Sequence, residues 1–146
     1  MIDKKWIGYE LPAATMELER GRLRFFAKAI GETEPVYTDV EAARAAGYPD
    51  LPAPPTFLFG AELDEGTLEG LLDTLGIPIG KILHGEQGFT YHRPACAGET
   101  ITVRSKITDI YDKKGGALEF IVKTAEARNG KDELVAELRT SIVVRN

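Results

Sequence analysis

His84 and His92 are the only imidazoles in this 146-residue chain, so acid–base chemistry near neutral pH has few places to reside. His84 stands two residues before Glu86 at the head of an alternating segment, and in an extended strand that spacing puts both side chains on one face. The pair reads either as an acid/base couple in a groove or as a hydrogen-bonded cap joining strand to helix. His92 adjoins Arg93-Pro94 and reads as a sheet or interface residue. Arg93, Arg104 and Lys106 would suit the phosphates of a nucleotide-bearing ligand, or else form a solvated strand face. Cys96 is the single cysteine and has no accompanying triad. It excludes an intramolecular disulfide and gives no basis for a thiolate metal centre. No metal or cofactor is expected, and the glycines form no phosphate-cradling motif.

The elements that must position these residues divide into two halves. In the first, Leu23, Phe26, Ala27 and Ile30 recur at three- and four-residue spacing and predict a helix over 19–30, stopped by Gly31. Asp39 caps a short helix over 40–46. Leu51-Pro52-Ala53-Pro54-Pro55 is neither helix nor central strand. Pro55 suits the first turn of a helix starting near Thr56 and carrying Phe57, Leu58, Phe59, Ala61 and Leu63. A further helical stretch holds Leu68, Leu71, Leu72 and Leu75, or the two form one helix interrupted near Gly66.

From Lys81 the period becomes two. Phe89 and Tyr91 form one apolar series; Ile101, Val103 and Ile107 another; Leu118, Phe120 and Val122 a third; and Leu134 to Val144 the last. Asn129-Gly130 signals a hairpin. Residues 81–146 are therefore expected as a four-stranded antiparallel meander, covered by the apolar helix after Pro55. The class is α+β, and residues 1–146 are expected as a single domain.

A formal charge of −5 with 43% hydrophobic and 28% charged residues argues against general affinity for nucleic acid or anionic lipid. No run approaches the roughly 20 apolar residues that span a bilayer. Charges at Asp3, Lys4 and Lys5 interrupt the place where a signal peptide would be apolar. A cytoplasmic location without membrane association is the expectation.

Several strings resemble the MaoC-like dehydratase/hydratase family, and within it the FAS1-like dehydratase domains. They are Phe26-Ala27-Lys28-Ala29-Ile30-Gly31-Glu32-Thr33-Glu34-Pro35, Ala53-Pro54-Pro55-Thr56-Phe57, His84-Gly85-Glu86-Gln87, Tyr91-His92-Arg93-Pro94 and Ala97-Gly98-Glu99. The resemblance spans roughly residues 5–144. It implies a hot-dog fold, an antiparallel sheet wrapped around a central helix. It also implies 3-hydroxyacyl or enoyl thioesters of coenzyme A or acyl carrier protein as ligands. Family members work as paired hot dogs, so a homodimer, or a heterodimer with a catalytic hot-dog subunit, is the expected assembly.

Hydration of an enoyl thioester needs a base for water, an acid for the α-carbon and donors for the enolate oxygen. Catalytic members of the family carry a loop of form Gly-Asp-x-Asn-Pro-x-His. Here the matching positions read Gly31-Glu32-Thr33-Glu34-Pro35-Val36-Tyr37, with Glu32 in place of Asp and Tyr37 in place of His. Glu32, Tyr37, His84 and Glu86 are thus the catalytic candidates, and Pro55, Thr56, Phe57 and Arg93 the substrate-binding ones. Pro54-Pro55 falls where the family's backbone donor stands, and proline has no N–H. The expectation is a 3-hydroxyacyl-thioester dehydratase or hydratase-type subunit that binds acyl groups for a catalytic partner. Three alternatives stay open: a self-sufficient homodimeric hydratase, a thioesterase using Glu62 or Asp64, and a non-catalytic acyl-thioester binder.

Overall fold

The alternation in the second half of the chain builds most of a five-stranded antiparallel sheet, in the order β1-β3-β4-β5-β2. The computed structural model describes residues 1–146. The strands are β1 (Ala14–Glu17), β2 (Ile82–Tyr91), β3 (Thr100–Lys113), β4 (Leu118–Arg128) and β5 (Leu134–Arg145). The helices are α1 (Arg20–Ala29), α2 (Val40–Ala45), α3 (Gly60–Asp64) and α4 (Thr67–Leu75). All four helices place side chains against one face of the sheet, the arrangement of a hot-dog fold in the α+β class. None of them is long and apolar enough to cross a membrane.

The meander holds for β3, β4 and β5, but β2 lies on the far side of β5 rather than beside β3. Residues 92–99 therefore cross three strand spacings, about 14 Å. The crossing is held from within the core. Ala53 N–H donates to Ala95 O at 2.7 Å and Ala97 N–H to Leu51 O at 2.8 Å, and Ala95 and Cys96 are buried. The four-residue strand β1, unread in the sequence, pairs with β3 through Ala14, Thr15, Met16 and Glu17.

Strand β4 presents the face opposite to the one expected. Glu119, Ile121, Lys123, Ala125 and Ala127 point inward and are buried. Phe120 faces outward and stacks on Tyr111 across the strand pair, with ring centroids 4.7 Å apart. Glu119 is satisfied where it sits, because its carboxylate accepts from Ile2 N–H at 2.5 Å and Asn146 Nδ2 at 2.6 Å. The Asn129-Gly130 signal gives a longer connection than a two-residue turn. The Asn129 side-chain oxygen accepts from both Lys131 and Glu133 N–H, which spreads the turn over residues 129–133.

The central helix is broken into pieces. Thr56 adopts a left-handed conformation with φ 75°, a 3-10 turn covers Phe57–Phe59, and α3 follows. Gly66, with φ 69°, separates α3 from α4. Pro55 thus precedes a turn rather than opening a helix. Two hydrophobic clusters result. The larger joins Leu23, Leu58 and Ala61 to Ile101, Val103 and Leu138. The smaller joins Leu71 to Ile107, Ile121 and Ile142.

Candidate functional site

The loop after α1 is shaped by Gly31, whose φ of 73° ends the helix. Glu32 then turns its carboxylate back on the chain. Its Oε1 accepts from Thr33 N–H at 2.9 Å and Glu34 N–H at 3.0 Å. Pro35–Tyr37 forms a 3-10 turn. Burial raises the Tyr37 phenol above its ordinary value, and Glu32, Tyr48, Glu34 and Tyr91 add to the rise. Glu32 and Tyr37 are neighbours, yet no hydrogen bond joins them, and Tyr37 is held neutral across the physiological range.

The start of the central helix meets this loop through Tyr91. Its hydroxyl accepts the Thr56 N–H at 2.8 Å. A left-handed threonine costs about 1 to 3 kcal/mol of backbone strain, and such strain concentrates where the backbone serves a ligand or a constraint. Here the N–H it presents is already occupied by the chain's own phenol.

Thr56 and Phe57 line an apolar groove of about 720 Å³ with Phe25, Phe26, Ile30, Phe59, Leu63 and Phe89. His84 and Gln87 also border it. Pro55 is exposed beside the groove without lining it. A second, smaller space of about 270 Å³ adjoins the groove, walled by Leu68, Ile82, Leu83 and Ile142 and bordered by Glu62, Lys123 and Thr140. Phe59, Leu63 and His84 line both spaces. Apolar spaces with a few convergent polar groups are the usual form of small-molecule sites.

His84 stands at that junction. Its ring stacks on Phe59 at 5.0 Å, and its Nε2 lies 3.2 Å from Gln87 Oε1. Glu86 does not join it. Gly85 forms a bulge, so His84 pairs with Ile142 while Glu86 pairs with the next residue back, Ser141. The extra residue sends Glu86 to the opposite face, where it meets Arg139 at 3.5 Å in solvent. The bulge requires glycine, since a Cβ there would come within 2.7 Å of Val143 Cγ2.

Of the remaining candidates, only Glu62 borders either space. Arg93 is ion-paired to Glu133, and His92 Nε2 lies 2.8 Å from Glu137 Oε2. Arg104 and Lys106 alternate with the buried Val103, Ser105 and Ile107, and so face outward. Cys96 is buried, and burial, reinforced by Glu99, raises its thiol above the ordinary range. Asp64 pairs with Arg22. Glu62 turns inward, accepting from Ser105 Oγ and pairing with Lys123. Lys123, Ser105, Thr140, Gln87 and Tyr91 were not singled out by sequence reasoning. The available signal was the polar interruption of otherwise apolar inward series at positions 105 and 140.

Residues 5–138 match the family described as the FAS1-like, dehydratase domain region. A UPF0336 protein of Parafrankia sp. (strain EAN1pec) is 42% identical over 129 residues, covering 88% of this chain and 84% of that one. Among solved structures, the C-terminally truncated HadBC (3R-hydroxyacyl-ACP dehydratase) complex of Mycobacterium tuberculosis superposes with a TM-score of 0.80. It is 25% identical, over 97% of this chain and 99% of that chain. The ChsH1–ChsH2 complex of the same organism gives a TM-score of 0.73 at 24% identity, over 94% and 89% of the two chains.

Proposed function

Because this chain belongs to the FAS1-like dehydratase family, we propose that it is the acyl-binding subunit of a paired hot-dog 3-hydroxyacyl-thioester dehydratase or enoyl-thioester hydratase. In this reading a partner subunit supplies the acid–base residues. The observation that carries the reading is a full acyl-sized space beside a disarmed loop. The groove and chamber offer about 720 and 270 Å³ of mainly apolar volume. The residues at the loop and helix start, by contrast, are occupied with one another. The Glu32 carboxylate holds its own backbone, Tyr37 stays protonated and the Thr56 N–H is taken by Tyr91.

Each chemical requirement then falls to a definite party. The apolar groove desolvates the acyl chain, contributing about 25 cal/mol for each Å² of apolar surface removed from water. Holding the chain fixes where the reacting α- and β-carbons lie relative to the partner, which is the entropic share of catalysis. Water activation and α-carbon protonation belong to an Asp and a His in a partner loop of form Gly-Asp-x-Asn-Pro-x-His. The solved relatives that superpose on this chain include two-component complexes by name, which supports a pair.

The test is reconstitution. The purified chain alone is expected to leave crotonyl-CoA unhydrated, and activity is expected once it is co-purified with a hot-dog chain carrying the intact loop. In that complex Glu32→Gln and Tyr37→Phe should leave kcat within about twofold. Hydration by the chain alone, abolished by Glu32→Gln or His84→Ala, would overturn the division of labour in favour of a self-sufficient homodimer.

A further inference from the structure

Across the inner face of the sheet runs a row of polar side chains where a core would ordinarily be apolar. Lys123 on β4 lies directly opposite Thr140 on β5, and Thr140 directly opposite Gln87 on β2. Ser105 on β3 flanks Lys123, and Glu62 reaches down from α3 to both. Thr140 Oγ1 donates to Gln87 Oε1 at 2.7 Å, and the same oxygen faces His84 Nε2 at 3.2 Å. Ser105, Lys123 and Thr140 are at most 7% exposed. This row divides the core into its two hydrophobic clusters, and it borders the 270 Å³ chamber.

A buried ammonium carries three donors. The Lys123 ammonium gives one to Glu62 and has no other acceptor in the chain. Burying a charge without full hydrogen bonding is costly, and replacing a buried ion pair by apolar residues of similar volume is often neutral or stabilising. A plain alkyl chain pushed into the chamber would seal the remaining donors from water and offer them nothing. An oxygen on the chain would accept from them.

We infer that the inner chamber receives the distal part of an acyl chain bearing an oxygen function, a hydroxyl or keto group, which accepts from the Lys123 ammonium. The inference rests on the acyl-binding reading of the groove, which leads to the chamber past Phe59, Leu63 and His84. Glu62 and Ser105 position Lys123, and Thr140 and Gln87 align the wall beside it. A chain without the oxygen is held by the outer groove alone or enters the chamber at a penalty.

The experiment measures binding rather than turnover. Decanoyl-CoA and its 6-, 8- and 10-hydroxy derivatives are titrated calorimetrically into the purified protein. At least one hydroxy derivative is expected to bind about tenfold more tightly than decanoyl-CoA, the gain from one hydrogen bond to a charged donor. In the double variant Glu62→Leu/Lys123→Met, which removes both charges together, that preference should vanish while decanoyl-CoA binds at least as well. A thermal melt confirms that this variant is folded, and Glu62→Met/Lys123→Leu, likewise without charge or donor, serves where it is not. Equal affinity for all four thioesters in the unmodified protein leaves water as the Lys123 partner and overturns the inference alone. A preference that survives the double variant also overturns it. Failure of every thioester to bind overturns the acyl-binding reading as well.

Discussion

Tyr91 ties together two parts of the site that lie 35 residues apart, placing its hydroxyl on the Thr56 N–H. Tyr91→Phe removes the acceptor and leaves that amide without a protein partner, a loss worth about 1 kcal/mol. The expected result is a Tm lowered by a few degrees, with faster hydrogen exchange at Thr56 and little change elsewhere. Gly85 gives a second residue-scale expectation. A methyl there would meet Val143 Cγ2 at 2.7 Å and Ser141 O at 3.2 Å. Gly85→Ala should therefore cost about 1 to 3 kcal/mol by overpacking, read as a shift of the urea midpoint at unchanged slope. The same glycine explains why the sequence misplaced Glu86. Two-residue spacing puts side chains on one face only while the register is unbroken, and nothing in the residue types of 84–86 announces a bulge. The position of the Glu32–Tyr37 loop was legible because the helix-stopping Gly31 and the following Pro35 are visible as letters. The Tyr91 contact was not, because it depends on a strand and a helix start meeting in space.

Among the elements, the first turn of α1 is fastened to the proline-rich segment before the central helix. Arg20 Nε and Nη2 grip Asp50 at 3.0 and 2.7 Å. The Arg20 hydrogen bond, helped by Leu51 N–H, draws the Asp50 carboxyl down from 3.8 to about 2. A carboxylate whose folded value is depressed adds stability that is full above its unfolded value and fades as the pH falls through the folded one. The contribution should hold above about pH 5 and disappear between pH 4 and 2. Because Arg20 is half exposed, water screens the pair and the contribution is small. Asp50→Asn is expected to lower the Tm modestly at pH 7, with the gap to the unmodified protein closing by pH 2. A gap constant with pH would assign the effect to packing. Element positions were mostly readable, since α1 and α4 follow from apolar spacing, α2 from the Asp39 cap, and β3 and β5 from alternation. Strand β4 misled because Phe120 and Val122 have the composition of a core face. The two clusters beneath the sheet instead take Ile121, Ala125 and Ala127, although Val122 is buried as well, leaving room there for helix α3 and the Lys123–Glu62 pair. Composition orders a strand's two faces only when one is plainly more polar, and here both carry apolar side chains.

At the scale of the whole molecule, the two edges of the sheet differ. Beyond β1, which is only four residues long, β3 is also lined by residues 8–11, where Gly8 N–H and Leu11 N–H donate to Ile107 O and Ser105 O. β2 offers ten residues with one side unpaired. A long open strand next to apolar surface is a template for another chain. The apolar surface is present: Phe25 is 74% exposed, and Leu63, Leu83 and Ile30 each more than 40%. Phe25, Ile30 and Leu63 line the outer groove, and Leu63 and Leu83 line the chamber beyond it, so the patch adjoins the place where the acyl chain would enter. A partner seated there would cover the patch, pair the strand and bring its own loop to the groove mouth, meeting three needs with one contact. The purified protein should accordingly run as a dimer or a two-chain complex by light scattering. Phe25→Asp combined with Leu63→Asp should convert it to a folded monomer, since neither side chain is in the buried core. If the doubly substituted chain keeps both its assembly state and its far-ultraviolet spectrum, the partner sits elsewhere, and a catalytic loop supplied across this groove is no longer tenable.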